Sequence, residues 1–398
     1  MKKILCLSMF LYGVFLPVCA ENTNIALPVS LPDFDKYTII KTTHNYTPIR
    51  ENADVNAKRF SHLKKGVKIF ADKIDKDFYR VDLGLDRYYW IEKKYADIDS
   101  TAKTKEPLFI NELKIYEDSK YYIIKIKTPE IPPYNEIETS TNSLDFIIYD
   151  TVIDKENLEQ EILTSADFKI SKDEFDNLKI SYFGKLPLTG HEVVSFEDGL
   201  LLKVKKPFKY EKFKPFKKLI IAIDPGHGGN EPGACAFGLK EKDLNLEISK
   251  KLEAELKHLG AKVYLTREED VNKDLYERID FAKEKEADFL ISIHQNSLPD
   301  RRNIDKKHGT GVYYYNKEAY NLAKEIKDSL VKETNFKDDG VNLSSLALTR
   351  AQNPLCVLVE CGYIIHPDES KKLSDSKFQK LTAHAIAVGI KNYLKNNL

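Results

Sequence analysis

The chain has 398 residues, 42% of them hydrophobic and 31% charged, with 62 basic side chains balanced by 62 acidic ones. That length points to two or three domains, and that composition supplies packed cores to a chain facing water. The even charge lacks the basic excess of a nucleic-acid binder, so no nucleic-acid partner is expected, and the lysines from Lys203 to Lys218 read as solvated surface.

At the N-terminus, Lys2 and Lys3 precede an apolar stretch from Ile4 to Phe15, followed by Val18-Cys19-Ala20. The pattern predicts a signal peptide over residues 1–20, cut near Ala20, and an exported chain destined for the periplasm, cell wall or extracellular space. Lipidation at Cys19 is the alternative, although Val18 stands where Gly, Ala or Ser usually precedes a lipidated cysteine. The apolar run is short for a bilayer, and no later segment has the length and apolarity to cross one, so no membrane span is expected. Of the five cysteines, Cys235, Cys356 and Cys361 lie beyond the signal. Three is odd, which leaves at least one thiol free or paired between chains, and Cys356 and Cys361, beside an apolar strand, read as core thiols.

Residues 36–100 alternate apolar and polar side chains in short runs broken by turn signals, the pattern of a small β domain. Ile49-Arg50, Gly66 before a strand, Tyr79, Val81, Trp90-Ile91 and Tyr95 resemble the bacterial SH3-like domain, which implies attachment to wall polymers. Trp90, the only tryptophan, reads as core, with a ligand-facing role as the alternative. Residues 107–206 form a second β-rich unit in which YYIIKIK, SLDFIIYD, NLKISYF and GLLLKVK each alternate as half-buried strands do. It carries no catalytic constellation, and its place in the chain suggests a wall-targeting module. A Lys- and Pro-containing linker, 207–218, follows.

From residue 219 onward strands alternate with helices. LIIAID predicts a strand buried on both faces. Asp243 to Leu259 predicts a helix with Leu244, Ile248, Leu252, Leu256 and Leu259 on one face, stopped by Gly260. KVYLTR, DFLISIH, GVYYYN and PLCVLVE read as further strands. Leu275 to Lys285, Glu318 to about Thr334 and about Phe378 to Leu394 read as helices. The fold class expected is therefore α/β, a mixed and largely parallel sheet flanked by helices on both faces over 219–398, preceded by small all-β domains.

Catalytic groups of open α/β sheets gather at the carboxyl ends of strands. Three predicted strands end there in His227, His294 and Glu360, and Glu241 sits at the entrance to the first helix. Two histidines and a carboxylate with one open position make a catalytic zinc set, and a spare carboxylate can move protons. The histidines are 67 residues apart (294 minus 227), with no local metal signature, so spacing alone does not establish the site.

The surrounding blocks do more. IAIDPGHGGNEPGACAFGLKEKDLNL, VYLTREED with Leu275 and Arg278, DFLISIHQNS, and DDGVNLSSLALTRAQNPLCVLVECGY resemble, in order over residues 219–398, the zinc-dependent N-acetylmuramoyl-L-alanine amidases of the type-three family. The resemblance implies one Zn²⁺ ion held by His227, Glu241 and His294, with Glu360 as the catalytic carboxylate. It also implies hydrolysis, in peptidoglycan, of the amide between N-acetylmuramic acid and L-alanine. Asn296 is expected at the cleft rim. Arg350 is expected either to bind a substrate carboxylate or to support the fold. Asp224 is a candidate to orient a ligating imidazole, or else a structural residue of the turn. His308 and His366, in loops off the family's metal positions, are not expected to be ligands. Where the family usually carries Phe and Ser-Asn, this chain has Tyr363 and Ile365-His366. Only Ser297 to Thr310 fills the place where some relatives carry an inhibitory helix, so no activator protein is expected. Two other readings remain at this point, a wall-binding protein without activity and a zinc peptidase acting on stem peptides.

Overall fold

A computed structural model describes residues 38–83, 88–99, 108–153, 167–208, 211–298 and 303–397. The signal segment and Cys19 lie outside these residues. Among them, no helix is long and apolar enough to cross a membrane.

The first unit is an antiparallel sheet in the order Arg59–Leu63, Thr47–Arg50, Tyr88–Glu92, Phe78–Asp82, Lys68–Asp75, Thr38–Thr42, Ala96–Ile98. Its short strands and Lys- and Asp-rich turns are those the alternation foretold. Trp90 is only half-buried and lies outside the core cluster, on a strand whose Ile91 faces inward. The second unit has two four-stranded sheets. Glu112–Glu117, Tyr121–Lys127, Gly199–Lys205 and His191–Phe196 make one, and Tyr134–Ser140, Ser143–Ile148, Leu178–Phe183 and Phe168–Lys172 the other. Period-two alternation directs Ile124, Ile126, Leu200 and Leu202 from one sheet toward Phe146, Ile148 and Ile180 of the other. The same apolar cluster continues into Ile40, Ile69 and Val81 of the first unit, so the two β units share one core.

The C-terminal unit is built on six strands, labelled here within that unit: β1 (Ile220–Pro225), β2 (Lys262–Leu265), β3 (Phe289–Asn296), β4 (Thr310–Tyr314), β5 (Asp338–Leu343) and β6 (Leu355–Tyr363). Their order is β2-β1-β3-β6-β4-β5. The sheet is mixed, since β4 runs antiparallel to β6 while the other pairings are parallel. The helices are α1 (Glu241–His258), α2 (Leu275–Glu284), α3 (Tyr320–Thr334), α4 (Pro367–Leu373) and α5 (Ser376–Asn397). Ile221, Ile223, Ile291, Ile293, Val357 and Val359 pack with the apolar stripes of α1, α3 and α5 on one face. Ala222, Leu290 and Cys356 pack with Ile279 and Ala282 of α2 on the other. Helices therefore cover both faces, as the apolar strands required.

Besides the small Cys235–Ala236/Leu239–Lys240 hairpin, two elements were not expected from sequence. The polar edge strand β5 has no alternation to betray it, and α4, PDESKKL, is short and charged. Helix α1 starts at Glu241, two residues before the expected Asp243, because the backbone amides of Glu241 and Lys242 donate to Ala234 and Pro232 carbonyls at 2.9 and 3.1 Å.

The β units grip the C-terminal unit near the starts of its strands. Lys205 pairs with Asp288 at 2.6 Å, just before β3, and Asn353 donates to Tyr121 Oη at 3.2 Å, just before β6. His191 Nδ1 lies 3.1 Å from Glu318 Oε2, beyond the end of antiparallel β4. The carboxyl ends of β1, β3 and β6 face away from these contacts.

Candidate active site

Strand periodicity puts Asp224, Ser292, His294 and Glu360 on one side of the sheet, with Asp224 paired to Ser292 and His294 to Glu360 across neighbouring strands. His227 follows β1 in the left-handed region, at φ 60°, before Gly228 and Gly229 at φ 135° and 56°. A non-glycine residue held there marks a locally constrained backbone. The constraint has visible anchors. Arg278 Nη2 donates to the His227 carbonyl at 3.0 Å, and its Nη1 donates to the Pro225 carbonyl at 2.9 Å and to Asp224 Oδ1 at 2.7 Å.

Glu241, the first residue of α1, joins the two imidazoles. Its Oε2 lies 3.2 Å from His227 Nε2 and its Oε1 2.9 Å from His294 Nδ1. The backbone amides of Ala234 and Gln295 donate to the same carboxylate at 2.9 and 3.1 Å. Burial opposes ionisation of Glu241, but the hydrogen bonds and charges of His227 and His294 hold its carboxyl well below the usual range. The ligand-capable atoms of His227, Glu241 and His294 all fall within 4.8 Å of one another. Two glycines make the room. A Cβ at Gly226 would stand 2.2 Å from His294 Cε1, and one at Gly233 2.4 Å from Glu241 Oε2.

Glu360 faces this group from β6. Its Oε2 is buried and has no hydrogen-bond partner among the described residues. Burial, then the neighbouring carboxylates of Glu241 and Asp339, push its carboxyl well above the ordinary range. Such an orphaned, protonation-prone carboxyl beside a group able to hold a metal ion is suited to proton transfer. Asn296 caps the end of β3, its Oδ1 accepting from Ser297 N at 2.8 Å, beside the Tyr313 hydroxyl at the rim.

The structure bears on two residues for which the sequence left alternatives open. Asp224 meets neither imidazole: its Oδ1 accepts from Thr266 and Arg278 at 2.5 and 2.7 Å and its Oδ2 from Ser292 at 2.7 Å. It acts on His227 through Arg278 and the backbone, which is the structural role at the turn. Arg350 is not in this cleft. It precedes the start of β6, roughly 16 Å along the strand from Glu360 at about 3.3 Å per residue. There it donates to the Ser345 carbonyl at 2.9 Å and lines a separate interdomain cleft of about 560 Å³ with Arg59, Tyr134 and Glu136. The sequence left open a substrate-carboxylate role and a fold-supporting role for Arg350, and the extended strand keeps it out of this cleft.

Arg267 and Arg278, 3% and 2% exposed, were not given roles from sequence. The available signal was a cation at Arg278 adjoining the buried stripe of Ile279 and Ala282 on α2. The site residues belong to a segment with known relatives. Residues 221–392 match the family described as N-acetylmuramoyl-L-alanine amidase. The chain is similar to the uncharacterized protein YqiI of Bacillus subtilis, 35% identical over 185 residues, covering 45% of this chain and 87% of that protein. It is also similar to the germination-specific N-acetylmuramoyl-L-alanine amidase of Bacillus subtilis, 32% identical over 196 residues, covering 45% of this chain and 81% of that protein. Among solved structures, N-acetylmuramoyl-L-alanine amidase AmiC2 of Nostoc punctiforme aligns at 35% identity with a TM-score of 0.43, covering 45% of this chain and 98% of that one.

Proposed function

The chain belongs to the N-acetylmuramoyl-L-alanine amidase family, and from that premise we propose that it cuts peptidoglycan with one zinc ion held by His227, Glu241 and His294 and with Glu360 as the catalytic carboxylate. The observation that carries this reading is the Glu241 carboxylate bridging two imidazoles beside the unpartnered Glu360. The residues fit the ion. Two histidine nitrogens and a carboxylate are the donors of an open catalytic zinc site, and Gly226 and Gly233 leave the ligands unobstructed.

When bound, zinc supplies Lewis acidity, polarising the scissile carbonyl and lowering the pKa of water from ~16 towards ~7. The chain's own residues do the rest. Glu360 accepts a proton from the attacking water as its oxygen bonds to the lactyl carbonyl carbon. The carbon–nitrogen bond then breaks, and Glu360 returns the proton to the departing amine of L-alanine. A carboxylate remains on the muramoyl lactyl group. With an ion held by His227, Glu241 and His294, the Glu360 carboxyl would feel less of the repulsion from Glu241 and would fall back toward the range in which it can act as a base. Arg267 and Arg278, the latter anchored by Asp224, hold the 225–227 carbonyls, so His227 stays aimed while charge moves.

The remaining assignments follow the sequence. Residues 1–20 are a signal peptide that exports the enzyme to the periplasm or cell wall. Residues 36–100 are an SH3-like domain and 107–206 a second wall-targeting β domain, joined through the 207–218 linker to the catalytic domain, 219–398. The 297–310 connection is short for an inhibitory helix, and on that length the enzyme works without an activator.

The test uses purified peptidoglycan with wild-type chain, chelator-treated chain and Glu360→Ala. Expected is release of intact stem peptides with free L-alanine amines by wild type alone. Wall binding without release, unchanged in Glu360→Ala, overturns the catalytic reading. New termini inside the stem peptide overturn the bond assignment.

A further inference from the structure

On the far side of Glu360 the same edge of the sheet carries a second group of donors. His308 stands two residues before β4, while His366 and Glu369 lie where the chain turns from β6 into α4. The sheet order puts β6, with Glu360, between β3 and β4, so this group and the one around His294 flank the cleft from opposite sides. The ligand-capable atoms of His308, His366 and Glu369 all fall within 4.8 Å of one another, the same limit that encloses His227, Glu241 and His294.

The donor chemistry is also the same, two imidazoles around one carboxylate. Glu369 is 3% exposed, and its Oε2 accepts from the Tyr363 amide at 2.7 Å, which fixes the carboxylate from behind. Its Oε1 lies 2.7 Å from His308 Nδ1. Among the described residues, His308 is the only ion-pair partner of this buried acid, and it is a histidine rather than a lysine or arginine. Desolvating a carboxylate costs several kcal/mol unless it meets a full positive charge. His366 stacks on His308 with ring centroids 4.4 Å apart and planes at 20°, and the Glu369 amide donates to His366 Nδ1 at 3.4 Å. Both imidazoles are partly open to solvent, so an ion has a way in. Neither belongs to an apolar core cluster, and packing does not account for the pair.

We propose that His308, His366 and Glu369 form a second metal site for a divalent cation of the zinc class, distinct from the catalytic site. Bond lengths of ~2.0–2.2 Å to zinc place its ligand atoms about 3.3 Å apart. The group reaches that spacing by opening the His308–Glu369 contact by roughly half an ångström and closing the others. The ion neutralises Glu369 and clamps the end of the β3–β4 connection to the α4 turn. The clamp bears on the cleft, because Thr310, two residues after His308, donates its Oγ1 to the Glu360 carbonyl at 2.9 Å. The link between them is stiff. Gly309 sits at φ 110°, and a Cβ there would lie 2.0 Å from the Lys337 carbonyl oxygen.

The experiment is metal titration of the chelator-stripped full chain with Zn²⁺, read by calorimetry and by metal content after gel filtration. Wild type is expected to retain two equivalents. His308→Ala and His366→Asn are each expected to retain one, with the affinity of the lost equivalent down about 100-fold. His227→Ala is expected to retain the one held by His308 and His366. His366→Asn keeps a side chain that can accept at the start of α4, so it covers the case in which His308→Ala does not fold. A single wild-type equivalent that persists in both His308→Ala and His366→Asn overturns the proposal. A single equivalent that persists in His227→Ala but is lost from these variants supports the second site and overturns the catalytic one instead.

Discussion

Gly226→Ala tests the site without touching a ligand or a charge. Gly226 is not in the left-handed region, so alanine adds no backbone strain there and the effect is steric. The new Cβ would lie 2.2, 2.3 and 2.7 Å from Cε1, Nε2 and Nδ1 of His294, where ordinary contact begins near 3.4 Å. The backbone cannot retreat easily. Its amide donates to the Ile293 carbonyl at 3.0 Å, and its carbonyl accepts from Arg267 and Asn245 at 3.1 and 3.2 Å. The imidazole must therefore withdraw by about 1 Å. Zinc ligands tolerate only ~0.2 Å from their preferred distances. The expected result is a fall in zinc affinity of at least the ~10–100-fold seen when ligand orientation is lost. Metal-free stability falls by only about 1–3 kcal/mol, the usual cost of overpacking. Competition between the protein and a chromogenic chelator reads the first quantity, and chemical denaturation of the stripped protein reads the second. Zinc affinity within twofold of wild type refutes the argument that His294 is positioned by the absent side chain.

Glu360→Gln should lower kcat by about 10²–10⁴ while leaving zinc stoichiometry intact, measured by stem-peptide release and metal content. Its stability effect has a definite sign. The folded carboxyl is raised above its unfolded value, so wild type without metal loses stability as pH rises beyond the usual carboxylate range, and the glutamine variant does not. Melting curves of the stripped proteins at pH 4 and pH 8 check it. Asp224→Ala leaves Arg278 buried without its ion-pair partner and should destabilise the C-terminal unit by roughly 3–5 kcal/mol in denaturant titrations. The junction around His191 should weaken in alkali. Burial and then Glu318 push the Glu138 carboxyl up to about 8, while the carboxylates of Glu318 and Glu136 overcome burial to raise His191 well above its ordinary value. Both shifts favour the protonated folded form, so stability present at pH 4.5 is lost as pH rises toward 8 and beyond. Limited proteolysis across that range should show cleavage between the units at the alkaline end, and Glu138→Gln should flatten the profile.

Much of this molecule is legible in its sequence, and the reason is periodicity. Each strand carrying a site residue is an apolar run that ends in a polar one, and such a run has only one place in an α/β sheet. LIIAID, DFLISIH and PLCVLVE thereby fixed both the buried layer and the edge at which His227, His294 and Glu360 emerge. Glu241 was legible too, although the helix it opens begins earlier than its stripe, because contacts from Pro232 and Ala234 cap the first turn.

What periodicity does not encode is which distant side chains meet. Arg350 is ten residues from Glu360 in sequence and lies toward the other end of the sheet, whereas His308 and Glu369 are 61 apart and touch. Asp224 has the chemistry to orient an imidazole, and only packing shows that Thr266, Arg278 and Ser292 take up its oxygens. The polar strand β5 and the short α4 are held by their neighbours rather than by propensity, so they too emerge only on folding. Local pattern determined most of the elements and the edge of the sheet at which His227, His294 and Glu360 emerge. Tertiary contact alone decided the partners, because a hydrogen bond or ion pair is set by separation in space, which the folded sheet uncouples from separation along the chain.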